Sequence, residues 1–183
     1  MIKNQLKILA ISGSTRRHST NTALLRAIAA VAPADISVEI FDKVGDLPIF
    51  SPDISDESFP DIVRQFADRI AASDGLIVSS PEYVHSIPGG LKNAIDWLVS
   101  GSEVIGKPIA LAHASHRGDD MLTGLRLVLS TVSSGFNERI FFRLPVKQAT
   151  PVEILERVME PGNRREAEAF LHNFATLCRG APR

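Results

Sequence analysis

Cysteine is nearly absent from this chain. Cys178 is the only one among 183 residues, so no internal disulfide can form. Such sparing use suits a reducing compartment, and we expect a cytoplasmic protein. An excess of either charge is missing as well, because 20 Lys and Arg stand against 21 Asp and Glu, a formal net charge of -1. The chain therefore lacks the basic excess that favours nucleic acids or membrane surfaces as partners.

Long apolar runs are missing too. None approaches the roughly 20 residues of a membrane span. Met1–Gln5 has no apolar signal-peptide core, and Leu6–Ile11 is too short to be one. What is present is an ordinary globular composition, 44% hydrophobic and 22% charged. We expect one domain over residues 1–183, with its core in 6–144 and a frayed end at 180–183.

Short apolar runs alternate with helical patterns five times. The predicted strands are 6–11, 37–41, 74–79, 108–114 and 139–144, and the predicted helices are 21–31, a segment after Pro60, 89–98, 121–132 and 165–179. Parallel neighbours in a sheet need crossover helices, so the pattern predicts an α/β fold with a five-stranded parallel sheet and helices on both faces. Residues 45–57 are predicted to form a long loop, and 148–163 a weakly patterned connection.

The first predicted strand ends in a polar loop that leads into a helix, and such a turn is a natural anion site. Unpaired backbone N–H groups and the helix dipole both favour negative charge there. The polar side chains of this turn are Ser14, Thr15, Ser19, Thr20, Asn21 and Thr22. Arg16 and Arg17 add positive charge, and Thr20 or Asn21 is expected to cap the helix.

Two common phosphate-binding motifs are absent. Only Gly13 is present where the Rossmann fingerprint needs three glycines, and Gly106-Lys107 is followed by Pro108 and not by Ser or Thr. The loop therefore predicts a monophosphate site and counts against dinucleotide or NTP phosphates. A capped polar loop with surface arginines is the alternative.

Residues 80–98 hold the only Tyr and the only Trp of the chain. They follow a buried-strand pattern, break at two prolines and continue as an amphipathic helix. A strand, a polar loop and a helix in this order form ligand crevices in open α/β sheets. We expect Trp97 to lie in the core or an interface, and Lys92 and Asp96 to form a surface pair.

Both loops resemble those of the NADPH-dependent FMN reductase family, the flavodoxin-like group that includes quinone, azo-compound and chromate reductases. The first family motif, G-S-x-R-x-x-S-x-N, is matched by Gly13, Ser14, Arg16, Ser19 and Asn21. The second, P-E-Y-N-x-S-x-P-G-x-L-K-N-A-I-D-W, is matched by Pro81, Glu82, Tyr83, Ser86, Pro88, Gly89, Leu91, Lys92, Asn93, Ala94, Ile95, Asp96 and Trp97. The long second motif is specific, and the order of elements agrees from Leu6 to about Leu144.

The resemblance implies FMN bound at the point where the strand order switches. The implied phosphate contacts are Ser14, Arg16, Ser19, Asn21 and Thr22, with Thr20 as a further cofactor contact. The implied neighbours of the isoalloxazine edge are Pro81, Glu82, Tyr83 and Val84, mostly through their backbone groups. Ser115, after the fourth strand, would supply a third contact.

Two positions depart from the family pattern. The family usually has Asn where this chain has Val84, so an amide that could bond the flavin or fix the loop is replaced by an apolar side chain. The family's third loop often carries paired glycines, whereas residues 115–120 contain only Gly118 together with Asp119 and Asp120. Both departures bear on flavin affinity and substrate choice.

The resemblance further implies an NAD(P)H-dependent enzyme that passes a hydride from NADPH or NADH through FMN to a quinone, a free flavin or a xenobiotic acceptor. Family members commonly form dimers or tetramers that complete the flavin site, so we expect a homodimer or homotetramer. One alternative is a non-enzymatic FMN protein, either an electron carrier or a redox-responsive partner. The other is a phosphosugar or nucleotide binder without flavin.

Three further predictions concern His85, the run from His113 to Asp120, and Cys178. His85 directly follows the flavin-edge segment and is a candidate to stabilise negative charge on a quinone oxygen or the reduced flavin; an outward or interface side chain is the alternative. The run His113-x-x-His116-x-x-Asp119-Asp120 does not have the spacing of a closed metal site, so no metal is expected. Cys178 is expected to behave as a buried apolar side chain.

Overall fold

A computed structural model describes residues 5–54 and 58–181. Three predictions extend beyond these ranges: the missing signal-peptide core near Met1, part of the loop 45–57, and part of the frayed end 180–183. To that extent they lie outside the described residues.

Five strands and six α-helices lie in the described chain; they alternate as far as β5, which two helices follow. The strands are β1 (Leu6–Ser12), β2 (Ile36–Phe41), β3 (Gly75–Ser79), β4 (Ile109–His113) and β5 (Phe136–Arg143). The α-helices are α1 (Thr20–Ala30), α2 (Asp61–Ala72), α3 (Gly89–Asp96), α4 (Asp119–Val132), α5 (Pro151–Met159) and α6 (Pro161–Gly180). A short 3-10 helix, Val44–Asp46, lies at the start of the predicted long loop.

The five strands form one parallel sheet in the order β2-β1-β3-β4-β5. This confirms the predicted flavodoxin-like architecture. The order reverses between β1 and β3, and in open α/β sheets ligands bind at such a switch point, outside the carboxyl ends of the strands. The loops after β1, β3 and β4 therefore share one edge of the sheet.

Each face of the sheet carries its own hydrophobic cluster. Alternate residues of a strand point to opposite faces, so Ala10 joins the cluster with α1, α5 and α6 while Ile11 joins the cluster with α2, α3 and α4. Trp97 is buried, and its indole N–H donates to the Pro48 carbonyl at 2.7 Å. Cys178 is buried as predicted, and burial raises its pKa to about 12. No helix in the described ranges has the length and apolar content to cross a bilayer.

The prediction of a weakly patterned connection at 148–163 is wrong. Helix α5 occupies most of it, and Thr150 and Glu153 form a reciprocal capping box at its start, with Pro151 in the first turn. Ile154 and Val158 are fully buried in the cluster shared with α1. Stabilisation of this helix therefore comes from tertiary packing as well as from its cap.

Element boundaries also differ from the prediction. Ser19, in extended conformation, caps α1 in place of Thr20 or Asn21, because Thr20 is already the first helical residue. Helix α4 begins at Asp119, two residues earlier than predicted, and β5 begins at Phe136, three residues earlier.

Candidate active site at the carboxyl edge of the sheet

Three loops meet at this edge. We call residues 13–19, after β1, the first loop; 80–88, after β3, the second loop; and 114–118, after β4, the third loop. Two buried side chains, Asn21 and His113, join them by hydrogen bonds. The predicted site residues are therefore brought to one edge.

Asn21 connects the first turn of α1 to two neighbouring strand ends. Its side chain is 3% exposed, and its Oδ1 accepts hydrogen bonds from Ser79 Oγ at 3.0 Å and from the Ala114 backbone N–H at 3.2 Å. A buried oxygen with two donors is fully satisfied. Asn21 therefore has a positioning role in addition to the predicted phosphate contact, for which its amide group and backbone N–H remain.

Most hydroxyl groups in and beside the first loop are hydrogen-bonded to one another or to nearby backbone N–H groups. Ser12 and Thr22 share a buried hydrogen bond of 2.7 Å between their hydroxyls. Ser14 Oγ accepts from the Arg16 N–H at 3.2 Å, and Ser19 Oγ accepts from the Thr22 N–H at 3.2 Å. These oxygens fix the backbone of the loop, so a ligand would meet mainly the N–H groups and the arginines.

Gly13 allows the first loop to approach the second. A Cβ at Gly13 would lie 2.7 Å from Leu91 Cδ2 and 2.9 Å from Ser80 Oγ, closer than real Cβ contacts. The Gly13 N–H also donates to the Ser79 carbonyl at 2.8 Å. Any side chain here would require Ser80 and Leu91 to move.

The tip of the second loop is a tight hairpin turn. Tyr83 and Ser86 exchange both backbone hydrogen bonds, at 3.1 and 3.0 Å. Val84 and His85 between them have φ values of 52° and 56°, and positive φ at both central positions belongs to type I′ turns. Asn tolerates this region and a β-branched residue does not. The family's usual Asn at position 84 therefore has a backbone explanation, and Val84, 95% exposed, is strained there.

Two contacts tie the second loop to the start of α4. His85 Nδ1 lies 2.6 Å from Asp120 Oδ2, and Glu82 Oε2 accepts from the Met121 N–H at 3.0 Å. Potential ligand atoms of Glu82, His85 and Asp120 lie within 4.8 Å of one another. His85 and Asp120 are therefore bonded to each other, and Glu82 is bonded to the backbone of α4.

His113 lies under the second and third loops. It is 1% exposed, and its ring nitrogens face two backbone carbonyls: Nδ1 is 3.0 Å from Ser80 O, and Nε2 is 2.6 Å from Arg117 O. Burial lowers the pKa of His113, and the charge of Arg143 lowers it further, against the opposing effects of the two carbonyls and Asp119. A Cβ at Gly118, where φ is 105°, would lie 2.6 Å from Nε2, so only glycine fits beside this ring.

Arg143, at the end of β5, organises the third loop and was missed from the sequence. Its Nε donates to Ser115 O at 2.9 Å, its Nη2 to Arg117 O at 3.0 Å and its Nη1 to Asp119 Oδ1 at 2.8 Å. The available signal was a charged residue inside the apolar run 140–144. Ser115 itself is half-buried, and its Oγ accepts from the Arg117 N–H at 3.0 Å.

The histidine and the two aspartates that follow His113 in the sequence have separate partners. His116 bonds the Val146 carbonyl through Nδ1 at 2.9 Å, while Asp119 pairs with Arg143. Asp120 pairs with His85.

A sequence profile of the NADPH-dependent FMN reductase family matches residues 6–140. The chain belongs to this family. It is 35% identical over 117 residues to a quinone reductase of Escherichia coli K12, a match covering 62% of each protein. It is 48% identical over 92 residues to a 2-hydroxy-1,4-benzoquinone reductase of a Burkholderia species, covering 50% of this chain and 49% of that one. The matches thus span less than two thirds of these relatives.

A solved structure extends the likeness of this FMN reductase family member to nearly the whole fold. FerB, a flavoenzyme NAD(P)H:(acceptor) oxidoreductase from Paracoccus denitrificans, superimposes with a TM-score of 0.76 over 96% of this chain and 98% of FerB. At 23% identity this likeness concerns the fold.

The donor chemistry of the first loop fits the phosphate of FMN. The N–H groups of Thr20 and Asn21 lie in the first turn of α1, where no preceding carbonyl of the helix can accept them. The side chains of Arg16 and Arg17 are exposed beside that turn. At the start of α3, a Cβ at Gly89 would meet no atom within 4 Å, so the surface there is open.

Proposed function

We propose that this chain is an NAD(P)H-dependent flavoenzyme that transfers a hydride through bound FMN to a quinone, a free flavin or a xenobiotic acceptor. The observation that carries the proposal is the union of three loops at the switch point of the sheet, joined by Asn21 and His113, in a chain of the FMN reductase family. When bound, FMN supplies the hydride chemistry, and the protein supplies binding, orientation and electrostatics.

The first loop would bind the phosphate. Arg16 occupies the matched family position, and the N–H groups of Thr20 and Asn21 complete the donor set. Ser14, Ser19 and Thr22 act mainly through the backbone geometry that their side chains hold. A loop fixed before binding loses little conformational entropy when the ligand arrives, which favours affinity.

The second and third loops would hold the flavin ring. Pro81, Glu82, Tyr83 and Val84 line its edge in this proposal, and Ser115 adds a contact from the other side. Glu82 positions the loop by accepting from the start of α4. His85 stays the candidate that faces the acceptor, held on one side by Asp120.

The test begins with the purified protein. It should carry flavin absorbance or, as the apoprotein, bind FMN with 1:1 stoichiometry, and it should oxidise NADPH or NADH in the presence of a quinone. Flavin binding without NAD(P)H oxidation would favour the non-enzymatic FMN protein. Absence of FMN binding, with binding of another phosphate ester, would overturn the proposal.

We further propose that the chain assembles as a homodimer or homotetramer in the cytoplasm. Exposed apolar side chains support assembly: Val99 is 65%, Ile105 69% and Leu127 70% exposed. The single, unpaired Cys178 supports a reducing location. Light scattering of the purified protein would measure the mass, and a monomer at micromolar concentration would contradict the assembly.

A further inference from the structure

The ring of His113 has acceptors on both sides. Ser80 O lies 3.0 Å from Nδ1, and Arg117 O lies 2.6 Å from Nε2. A backbone carbonyl accepts hydrogen bonds and donates none, whereas neutral imidazole has one N–H and one lone pair. Both hydrogen bonds can therefore form only when the ring carries two N–H groups, as imidazolium.

We propose that His113 is a proton-linked clamp, in which protonation of its ring joins the second loop to the third loop and is coupled to the binding of an anionic ligand in the crevice above them. The proposal rests on the proposed function only in taking FMN as that anion. It makes His113 a positioning residue, since its contacts are to the backbone of the loops.

The geometry shows which bond depends on the proton. The contact to Arg117 O is the shorter, so a neutral ring gains most by keeping its single N–H on Nε2. The lone pair of Nδ1 then faces the oxygen of Ser80 at 3.0 Å, which is repulsive. Loss of the proton therefore releases the carbonyl at the root of the second loop, directly before the segment 81–84.

The charges around the ring have opposing effects on its protonation. Arg143 approaches from β5 and opposes the imidazolium, and Asp119 approaches from the start of α4 and favours it. The second and third loops contribute the two carbonyls, which also favour it. Burial opposes the charge most strongly, so a further negative group nearby has a large influence on the proton.

The coupling is reciprocal by thermodynamic necessity. An anion in the crevice favours the imidazolium, and the imidazolium favours the anion by its charge and by closing the loops. Ligand-free protein near neutral pH would hold the ring mostly neutral, because its pKa is lowered. Binding would then draw one proton to His113.

The experiment compares FMN affinity of the apoprotein across pH 5.5 to 8 for the wild type, His113→Gln and the control His172→Gln, an exposed histidine on α6. The phosphate of FMN itself titrates near pH about 6, so the ratio of variant to wild-type Kd carries the result. For His113→Gln this ratio should fall by at least about fivefold from pH 5.5 to 8. For His172→Gln it should stay flat. A flat ratio for His113→Gln would overturn the clamp.

Nitrogen NMR of the His113 ring gives a second measurement that needs no variant. FMN should move its protonation midpoint to higher pH, and an unchanged midpoint would overturn the coupling. If FMN does not bind at any pH, the proposed function fails separately. The clamp is then judged on the apoprotein: the amide signals of Tyr83 and Gly118 should titrate together with the ring, and independence of the two loops from the ring would refute it.

Discussion

The first and second loops lie side by side at the same sheet edge and are built in opposite ways. In and beside the first loop, four hydroxyls, those of Ser12, Ser14, Ser19 and Thr22, are hydrogen-bonded to one another or to the backbone, and Asn21 Oδ1 below the loop accepts two hydrogen bonds. In the second loop the tip is exposed, and Val84 and His85 both occupy the left-handed region. The first loop is held by hydrogen bonds, whereas the second stores backbone strain.

In the proposed function the two loops would have different tasks. The phosphate of FMN is the same whichever acceptor is used, so a loop that binds it gains from being rigid. The segment near the reacting ring sets which acceptors can approach, and exposed loop positions can vary without disturbing the core. In this chain the family motif is kept in the first loop and is altered at the tip of the second, at Val84.

Removal of Asn21 is the strongest test of the rigid first loop. In Asn21→Ala the buried Ser79 hydroxyl and Ala114 N–H lose their acceptor, and each buried unsatisfied group costs about 1–3 kcal/mol. We expect the free energy of unfolding, measured in urea, to fall by about 2–4 kcal/mol and FMN affinity to fall with it. Asn173→Ala, at an exposed position of α6, is the matched control and should be near neutral. Equal losses in the two variants would show that Asn21 does not join the loops.

The two neighbouring arginines give the next largest effect, on affinity alone. Arg16 and Arg17 are both exposed, and neither has an ion-pair partner in the part of the chain that the structure describes. A charge-assisted hydrogen bond is worth about 1.5–3 kcal/mol, so Arg16→Ala should weaken FMN binding by about 10- to 100-fold. Arg17→Ala should change it much less. A titration of both apoproteins decides the matter, and a weaker Arg17 variant would reverse the assignment.

These contrasts also show how far the sequence could lead. The five strands and the three loops followed from apolar runs and turn residues, which are local signals. The bonds from His113 to Ser80 and from Arg143 to Ser115 join residues about 30 positions apart, so no local pattern contains them. Helix α5 is a different case. Its capping signal, Thr150-Pro151-x-Glu153, was present in the sequence, but the hydrophobic pattern that follows was too short to predict a helix.

The left-handed turn was hidden for another reason. The family's Asn at position 84 could be explained by a flavin contact or by the backbone, and the sequence alone does not distinguish them. The φ of 52° at Val84 favours the backbone explanation. A side-chain preference thus became interpretable only when the conformation of the chain was known.

Relief of the turn strain should sharpen the contrast between the loops. Val84→Asn should raise the free energy of unfolding by about 1 kcal/mol, because a β-branched residue in the left-handed region costs about 1–2 kcal/mol. Val152→Asn, which also replaces an exposed valine but without positive φ, should leave stability nearly unchanged. The difference between the two melting curves isolates the backbone effect. If both variants melt alike, the second loop is not strained.

The smallest expected effect on stability and FMN affinity comes from removing the exposed contact between His85 and Asp120. The side chains of His85 and Asp120 are 81% and 65% exposed, and exposed ion pairs contribute about 0–1 kcal/mol. His85→Ala should therefore leave stability and FMN affinity close to wild type, while kcat/KM for a quinone falls. Asp120→Ala is the companion variant, because it removes the same hydrogen bond and keeps the imidazole. If it matches His85→Ala in every respect, loss of the hydrogen bond between His85 and Asp120 explains the effect, and the imidazole has no role toward the acceptor. If His85→Ala instead weakens FMN binding as much as Arg16→Ala does, the second loop anchors the cofactor too, and the division of tasks between the loops is wrong.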